Sequence, residues 1–146
     1  VIYYYYPGDG RDPRKSYLEG HLGLDYMFKD LPLSPKISGG YNYSPDFFGE
    51  DGDGHYLNGR LDLLLPFEFT LYGLIGCQWV EGDKSTGNGN GDHGGDGYDY
   101  THWRIGLSRP VLGFVLDLSY QDTDNANFLG PDIADERVVF SVSRTF

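Results

Sequence analysis

Cysteine and basic residues are both scarce in this chain, and long apolar runs are missing altogether. A lone cysteine, Cys77, rules out an internal disulfide framework. Lys and Arg total 11 against 22 Asp and Glu, a formal net charge of −11. Nucleic acid needs a basic surface to meet its phosphates, so that class of partner is excluded. No stretch of about 18 apolar residues occurs, so no helix of the chain can cross a bilayer. The opening Val1-Ile-Tyr-Tyr-Tyr-Tyr6 has neither the basic start nor the apolar centre of a secretion leader. At six residues it is also shorter than the roughly 9–11 of a spanning strand. Val1 is therefore expected to lie inside a strand whose upstream sequence is missing. What is abundant is glycine (22), tyrosine (13) and phenylalanine (9), a mixture that suits short strands and turns rather than helices. The 146 residues fit one domain, 1–146.

Apolar residues alternate with polar ones along most of the chain, the period of a two-faced strand. From Ser16 to Lys29, Leu18, Leu22, Leu24, Tyr26 and Phe28 share one face, and Glu19, His21 and Asp25 take the other. From Pro35 to Ser44, Ile37, Tyr41 and Tyr43 oppose Lys36, Ser38 and Asn42. From Tyr56 to Leu65, Leu57, Leu61 and Leu63 oppose Asn58, Arg60 and Asp62. From Phe67 to Trp79, Phe67, Phe69, Leu71 and Ile75 oppose Glu68, Thr70, Tyr72 and Gln78, with Leu74 breaking the polar side once. Further on, Trp103, Ile105 and Leu107 oppose His102 and Arg104. Phe114, Leu116, Leu118 and Tyr120 oppose Asp117 and Ser119. Val138, Phe140, Val142 and Phe146 oppose Arg137 and Ser141. With the opening stub this predicts about eight antiparallel strands.

A soluble sandwich alternates too, so the connections have to discriminate. They run long, short, long, short. Pro7–Lys15, Pro45–Gly54, Glu81–Tyr98 and Asp122–Asp135 are long and polar, whereas Asp30–Ser34, Pro66 and Arg109–Leu112 are short. That rhythm predicts an up-and-down transmembrane β-barrel with short periplasmic turns and longer outer loops. The aromatics fit the same frame. Phe28, Phe67, Phe69, Phe114 and Phe146 fall near the short turns, and Tyr41, Tyr43, Trp79, Trp103 and Tyr120 near the long loops, with aliphatic residues between. Two aromatic girdles around an aliphatic band are what a lipid-facing surface requires.

The closing run Ala134-Asp-Glu-Arg-Val-Val-Phe-Ser-Val-Ser-Arg-Thr-Phe146 resembles the end of the TorF-type porins of proteobacteria. So do Tyr41-Asn-Tyr-Ser-Pro-Asp-Phe-Phe-Gly49, Asp117-Leu-Ser-Tyr-Gln-Asp-Thr-Asp124 and the opening Val1 to Gly8. The resemblance implies a bacterial outer-membrane barrel. It implies that this chain is the C-terminal two-thirds of one, with several more strands and a signal peptide before the segment matching Val1. Phe140, Val142 and Phe146 would form the terminal signal read by the barrel-assembly machinery. Lipid and lipopolysaccharide would surround the barrel, and homo-oligomers are open to it. The cysteine pair often found in the family's last outer loop is lacking at 125–135. The family supplies no catalytic residues.

The inward polar set is the candidate site. Glu19, His21, Asp25 and Lys36 come from the first half, and Arg60, Asp62 and Glu68 from the middle. His102, Arg104, Asp117 and Arg137 complete it. In a wide barrel these residues line a water-filled passage and set its charge preference. In a narrow one they fill the interior with ion pairs. No enzyme activity is expected, because His21 and Asp25, four residues apart on a strand, sit about 13 Å from each other. No cofactor is expected. Glu50-Asp-Gly-Asp-Gly54 lacks the ligand spacing of a calcium loop, and Asp92, His93, Asp96 and Asp99 read as a solvated Gly-rich loop rather than a metal cage. Two functions stay open: a porin-like channel for passive diffusion of small hydrophilic solutes or ions, or a non-conducting barrel acting as anchor, adhesin or self-assembling surface protein. One register prediction is sharp. A turn centred on Pro110 and Val111 places Arg104 directly opposite Asp117 on the polar face.

Overall fold

The computed structural model describes residues 1–6, 16–45, 47, 52–81, 99–124 and 135–145. Period-2 alternation becomes strand everywhere among the described residues except around Phe67–Phe69. The strands are β1 (Ile2–Tyr4), β2 (Tyr17–Met27), β3 (Lys36–Ser44), β4 (Gly54–Leu64), β5 (Thr70–Val80), β6 (Tyr100–Val111), β7 (Phe114–Asp124) and β8 (Arg137–Ser143). They form one eight-stranded sheet in the order β1-β2-β3-β4-β5-β6-β7-β8, every neighbour antiparallel. The all-β, up-and-down expectation is met. Closure is not: among the described residues β1 and β8 are the free edges of an open sheet.

Up-and-down order places all the short connections at one end, here called the turn end, and all the long ones at the other, the loop end. The β6–β7 hairpin shows how the turn chemistry sets register. Leu112 (φ +53°) and Gly113 (φ +81°) are its two central residues, both left-handed. This is the geometry that matches the twist of the flanking strands, and it favours glycine at the second position. Val111 then pairs with Phe114, so Arg104 lies opposite Gln121 and Ser108 opposite Asp117. The expected register was off by two pleats because it put Pro110 in the turn. Pro110 instead closes β6 opposite Val115. Its ring is tolerated there because the missing N–H points toward β5, whose pairing with β6 has already ended at Thr70↔Ser108.

The β4–β5 connection needs a second correction. Strand β5 begins at Thr70, not Phe67. Pro66–Glu68 form a 3-10 turn, closed by the Leu65 N–H donating to the Phe69 carbonyl at 2.8 Å. Phe67 (φ +62°) and Glu68 (φ +64°) are both left-handed within it. Glu68 therefore belongs to the turn and not to the polar face of a strand.

The sheet has almost no apolar core. Among described hydrophobic residues only Tyr72 and Val80 are buried, whereas Leu24 is 77% exposed, Phe140 64% and Ile75 56%. The apolar side chains stand outward on one face, and the sheltered face is the polar one. A band runs straight across the exposed face through the partners Leu63–Leu71–Leu107–Leu118–Phe140. At its loop end Tyr43, His55 and Trp79 are cross-strand partners, and the His55 ring stacks on Trp79 at 5.0 Å. Trp103 and Tyr120 meet nearby at 5.4 Å. At the turn end Tyr26 and Phe28 make an edge contact at 4.8 Å. Phe146 lies outside the described residues.

Candidate functional site: the sheltered polar face

Partner rows across the sheet bring the polar residues together. The row nearest the turn end that carries charge on both early and middle strands is Lys36–Asp62–Tyr72–Gly106–Ser119. The next is Asp25–Ser38–Arg60–Leu74–Arg104–Gln121–Arg137. All of the sequence-predicted set except Glu68 shares this face. Four acids (Glu19, Asp25, Asp62, Asp117) match four bases (Lys36, Arg60, Arg104, Arg137), so the face is electrically balanced.

Three ion pairs use that balance. Lys36 reaches Asp25 at 3.1 Å across β2–β3. Arg60 and Asp62, neighbours on one face of β4, meet at 2.6 Å, with the Arg60 Nε also donating to both carboxylate oxygens. Arg104 donates to Asp117 at 2.7 Å. The expected Arg104–Asp117 pair thus forms without the expected register. Asp117 is four residues along β7 from the direct partner of Arg104. The long arginine side chain spans that diagonal, its Nη2 ending at the Asp117 carboxylate.

Tyr72 is the hub that sequence reasoning missed. It is 4% exposed, its hydroxyl donates to Asp117 at 2.8 Å, and the Arg60 guanidinium lies 4.0 Å from its ring centre. Arg104 approaches the same ring at 5.6 Å. The ring can lie flat only because its partner on β6 is Gly106: a Cβ there would fall 2.5 Å from the Tyr72 hydroxyl end. Within this cluster Arg104 Nε and Ser119 Oγ are buried without a hydrogen-bond partner among the described residues.

Nearer the loop end the face turns from charged to amide, imidazole and phenol. Asn42 donates to Glu19 at 3.0 Å and meets His21 Nδ1 at 2.5 Å, which fixes a carboxylate–amide–imidazole chain across β2 and β3. Tyr56 and His102 are joined at 2.8 Å directly over Gly76, where an added Cβ would strike both. Ser44, fully buried, stitches β3 to the Leu18 carbonyl at 2.7 Å. Tyr56 and Tyr72 were legible as inward by register alone. The further signal was a glycine at or beside the cross-strand position, leaving room for a ring.

No group of three or more metal-ligating side chains occurs among the described residues. Asp99 accepts the Val80 N–H at 2.9 Å, and Asp53 accepts the Tyr43 hydroxyl at 2.7 Å. Asp92, His93 and Asp96, and the bulk of Glu81–Tyr98, lie outside the described residues. Cys77 pairs with Leu57 on the apolar face.

No curated protein and no solved structure matches the chain. The model of one family matches residues 1–146 in full, and the chain belongs to that family, described as a bacterial protein of unknown function, Gcw_chp.

Proposed function

We propose that this sheet is wall of an outer-membrane β-barrel, with the apolar face against lipid and the polar face toward a lumen that passes small hydrophilic solutes or ions. One observation carries the reading: the hydrophobic residues are outward and exposed, sorted into an aliphatic band between two aromatic belts, while across β3–β7 the charges and amides of the other face are half-buried. A soluble sheet buries the first set and exposes the second. A barrel wall in lipid does the reverse. The resemblance to TorF-type porins points the same way. The wall would close at the edges β1 and β8. Eight strands alone enclose a space filled by side chains, so a water passage needs a wider wall that includes further strands.

The second reading is a non-conducting barrel, an anchor or surface protein. It is favoured by the Arg60–Asp62, Tyr72 and Arg104–Asp117 cluster, which packs side chains against one another across β4–β7. Incorporation of purified protein into planar bilayers separates the two. Stepwise conductance is expected for the channel. A folded, inserted protein that never conducts supports the anchor. Failure to enter bilayers at all overturns both.

A further inference from the structure

The two ends of the apolar face carry opposite charge. At the turn end the guanidinium of Arg109 stands 5.0 Å from the Phe69 ring centre, and that of Arg144 stands 5.2 Å from Phe114. Arg109 is the cross-strand partner of Leu116, so it sits on the apolar face, and it is exposed. Arg144 directly follows β8 and is exposed as well. The other turns of that end add Lys29, Asp30 and Glu68, leaving the end one charge positive. At the loop end the described residues outside the polar-face set add Asp53, Glu81, Asp99, Asp122, Asp124, Asp135 and Glu136, all of them acids. On the apolar face there, the polar neighbours of the Tyr and Trp belt are Asp53, Glu81 and Asp122.

We infer that Arg109 and Arg144 form a seat for the phosphodiester head-groups of an anionic phospholipid leaflet, which receives the turn end of the sheet. The inference rests on the lipid-facing reading of the apolar face. An arginine at the rim of such a face lays its stem along apolar surface and lifts its head to the interface. Here the flanking phenylalanines hold each guanidinium in place. The two come from opposite sides of β7, roughly 10 Å apart at the usual strand spacing. That spacing meets two neighbouring head-groups rather than clasping one free anion. The acidic loop end would be repelled from the same leaflet, so the charge pattern fixes which way the sheet points as well as what it touches.

The test partitions the full chain into vesicles of phosphatidylcholine, with or without about a quarter phosphatidylglycerol, the added charge being the variable. Trp79 and Trp103, both on the apolar face, report entry by a blue shift in fluorescence. Anionic lipid should raise partitioning about five-fold for each guanidinium, and about 1 M salt should remove the gain. R109Q/R144Q should enter phosphatidylcholine like the parent, which shows that it folds, but lose the anionic gain. R109K/R144K should keep the gain. An anionic preference that survives R109Q/R144Q, no preference at all, or a preference abolished by millimolar inorganic phosphate would overturn the seat while leaving the lipid-facing reading standing. Entry into neither vesicle would overturn both.

Discussion

The two faces of this sheet are built from the same strands and differ only by parity, yet they are held in opposite ways. The polar face is tied by directional contacts: three ion pairs, the Tyr72 hydroxyl on Asp117, and rings laid flat over Gly76 and Gly106. The apolar face has breadth but few such contacts, and glycines there open onto space, with nothing within 4 Å of a Cβ added at Gly59 or Gly73. A face that is specified in detail is one the protein itself completes. A face that is merely apolar is one completed by its surroundings. The polar side thus behaves as the interior of this fold, and the hydrophobic effect is left to act between the sheet and whatever solvates it.

The largest expected effect breaks the comparison at its weakest premise, that the surroundings are lipid. Ile75→Arg introduces a charge in the middle of the apolar face and should cost about 2–4 kcal/mol of stability in a bilayer. Ser141→Arg, on the polar face opposite Asp117, should stay within about 0.5 kcal/mol. Denaturant titration of the protein folded in vesicles measures both. Equal effects, or an Ile75→Arg variant that gains solubility in water without losing stability, would mean that a soluble partner covers this face.

Glycines sharpen the same contrast. Gly106→Ala places a Cβ 2.5 Å from the Tyr72 ring, and the ring cannot retreat without leaving Arg60 and Asp117. A loss of about 1–3 kcal/mol is expected, the usual cost of overpacking. Gly59→Ala on the apolar face should be near neutral. The same denaturation measurement reads both, and equal losses would deny that the polar face is the packed one.

The strands, their order and the parity of nearly every residue were legible in the sequence, because period-2 alternation is a direct record of two different environments. Parity survives even a register error: the β6–β7 pairing was expected two pleats away from where it lies, and Arg104 and Asp117 still share a face and still meet. What the alternation could not show was turn chemistry. Pro110 drew attention as a turn residue, whereas the turn is made by Leu112 and Gly113, and nothing in leucine announces a left-handed backbone. Phe67 and Glu68 were misread for the same reason, continuing an alternating pattern straight through a turn. Tyr72 and Tyr56 were passed over as site residues because tyrosine reads as belt material, although their parity already put them inward and their glycine neighbours left room for the rings.

The turn itself offers a smaller effect. Leu112 is 93% exposed and left-handed, a conformation that costs a leucine more than an asparagine. Leu112→Asn creates the Asn-Gly pair favoured in this hairpin and should stabilise by up to about 1 kcal/mol. A destabilised variant in the denaturation assay would show that Leu112 has a contact role its exposure hides.

One small expected effect on folding best separates a lumen from a filled interior. Asp117→Asn removes the charge facing Arg104 but keeps an oxygen for the Tyr72 hydroxyl. Arg104 is about a third exposed, so in a wet lumen its pair contributes only about 0–1 kcal/mol and the variant should fold almost as well as the parent. The electrical consequence is larger if the wall conducts. The polar face passes from four acids against four bases to three against four, beneath acidic loop-end residues that would concentrate cations at the mouth of such a channel. The parent should therefore prefer cations mildly, and more at low salt. Asp117→Asn should weaken or reverse that preference, which a reversal potential in a salt gradient reads directly. A double-mutant cycle with Arg104→Gln should give a coupling below about 1 kcal/mol. If Asp117→Asn instead leaves conduction untouched or absent, and the coupling reaches about 3 kcal/mol, the pair is buried among packed side chains. The wall then encloses a solid interior, and the protein is an anchor rather than a channel.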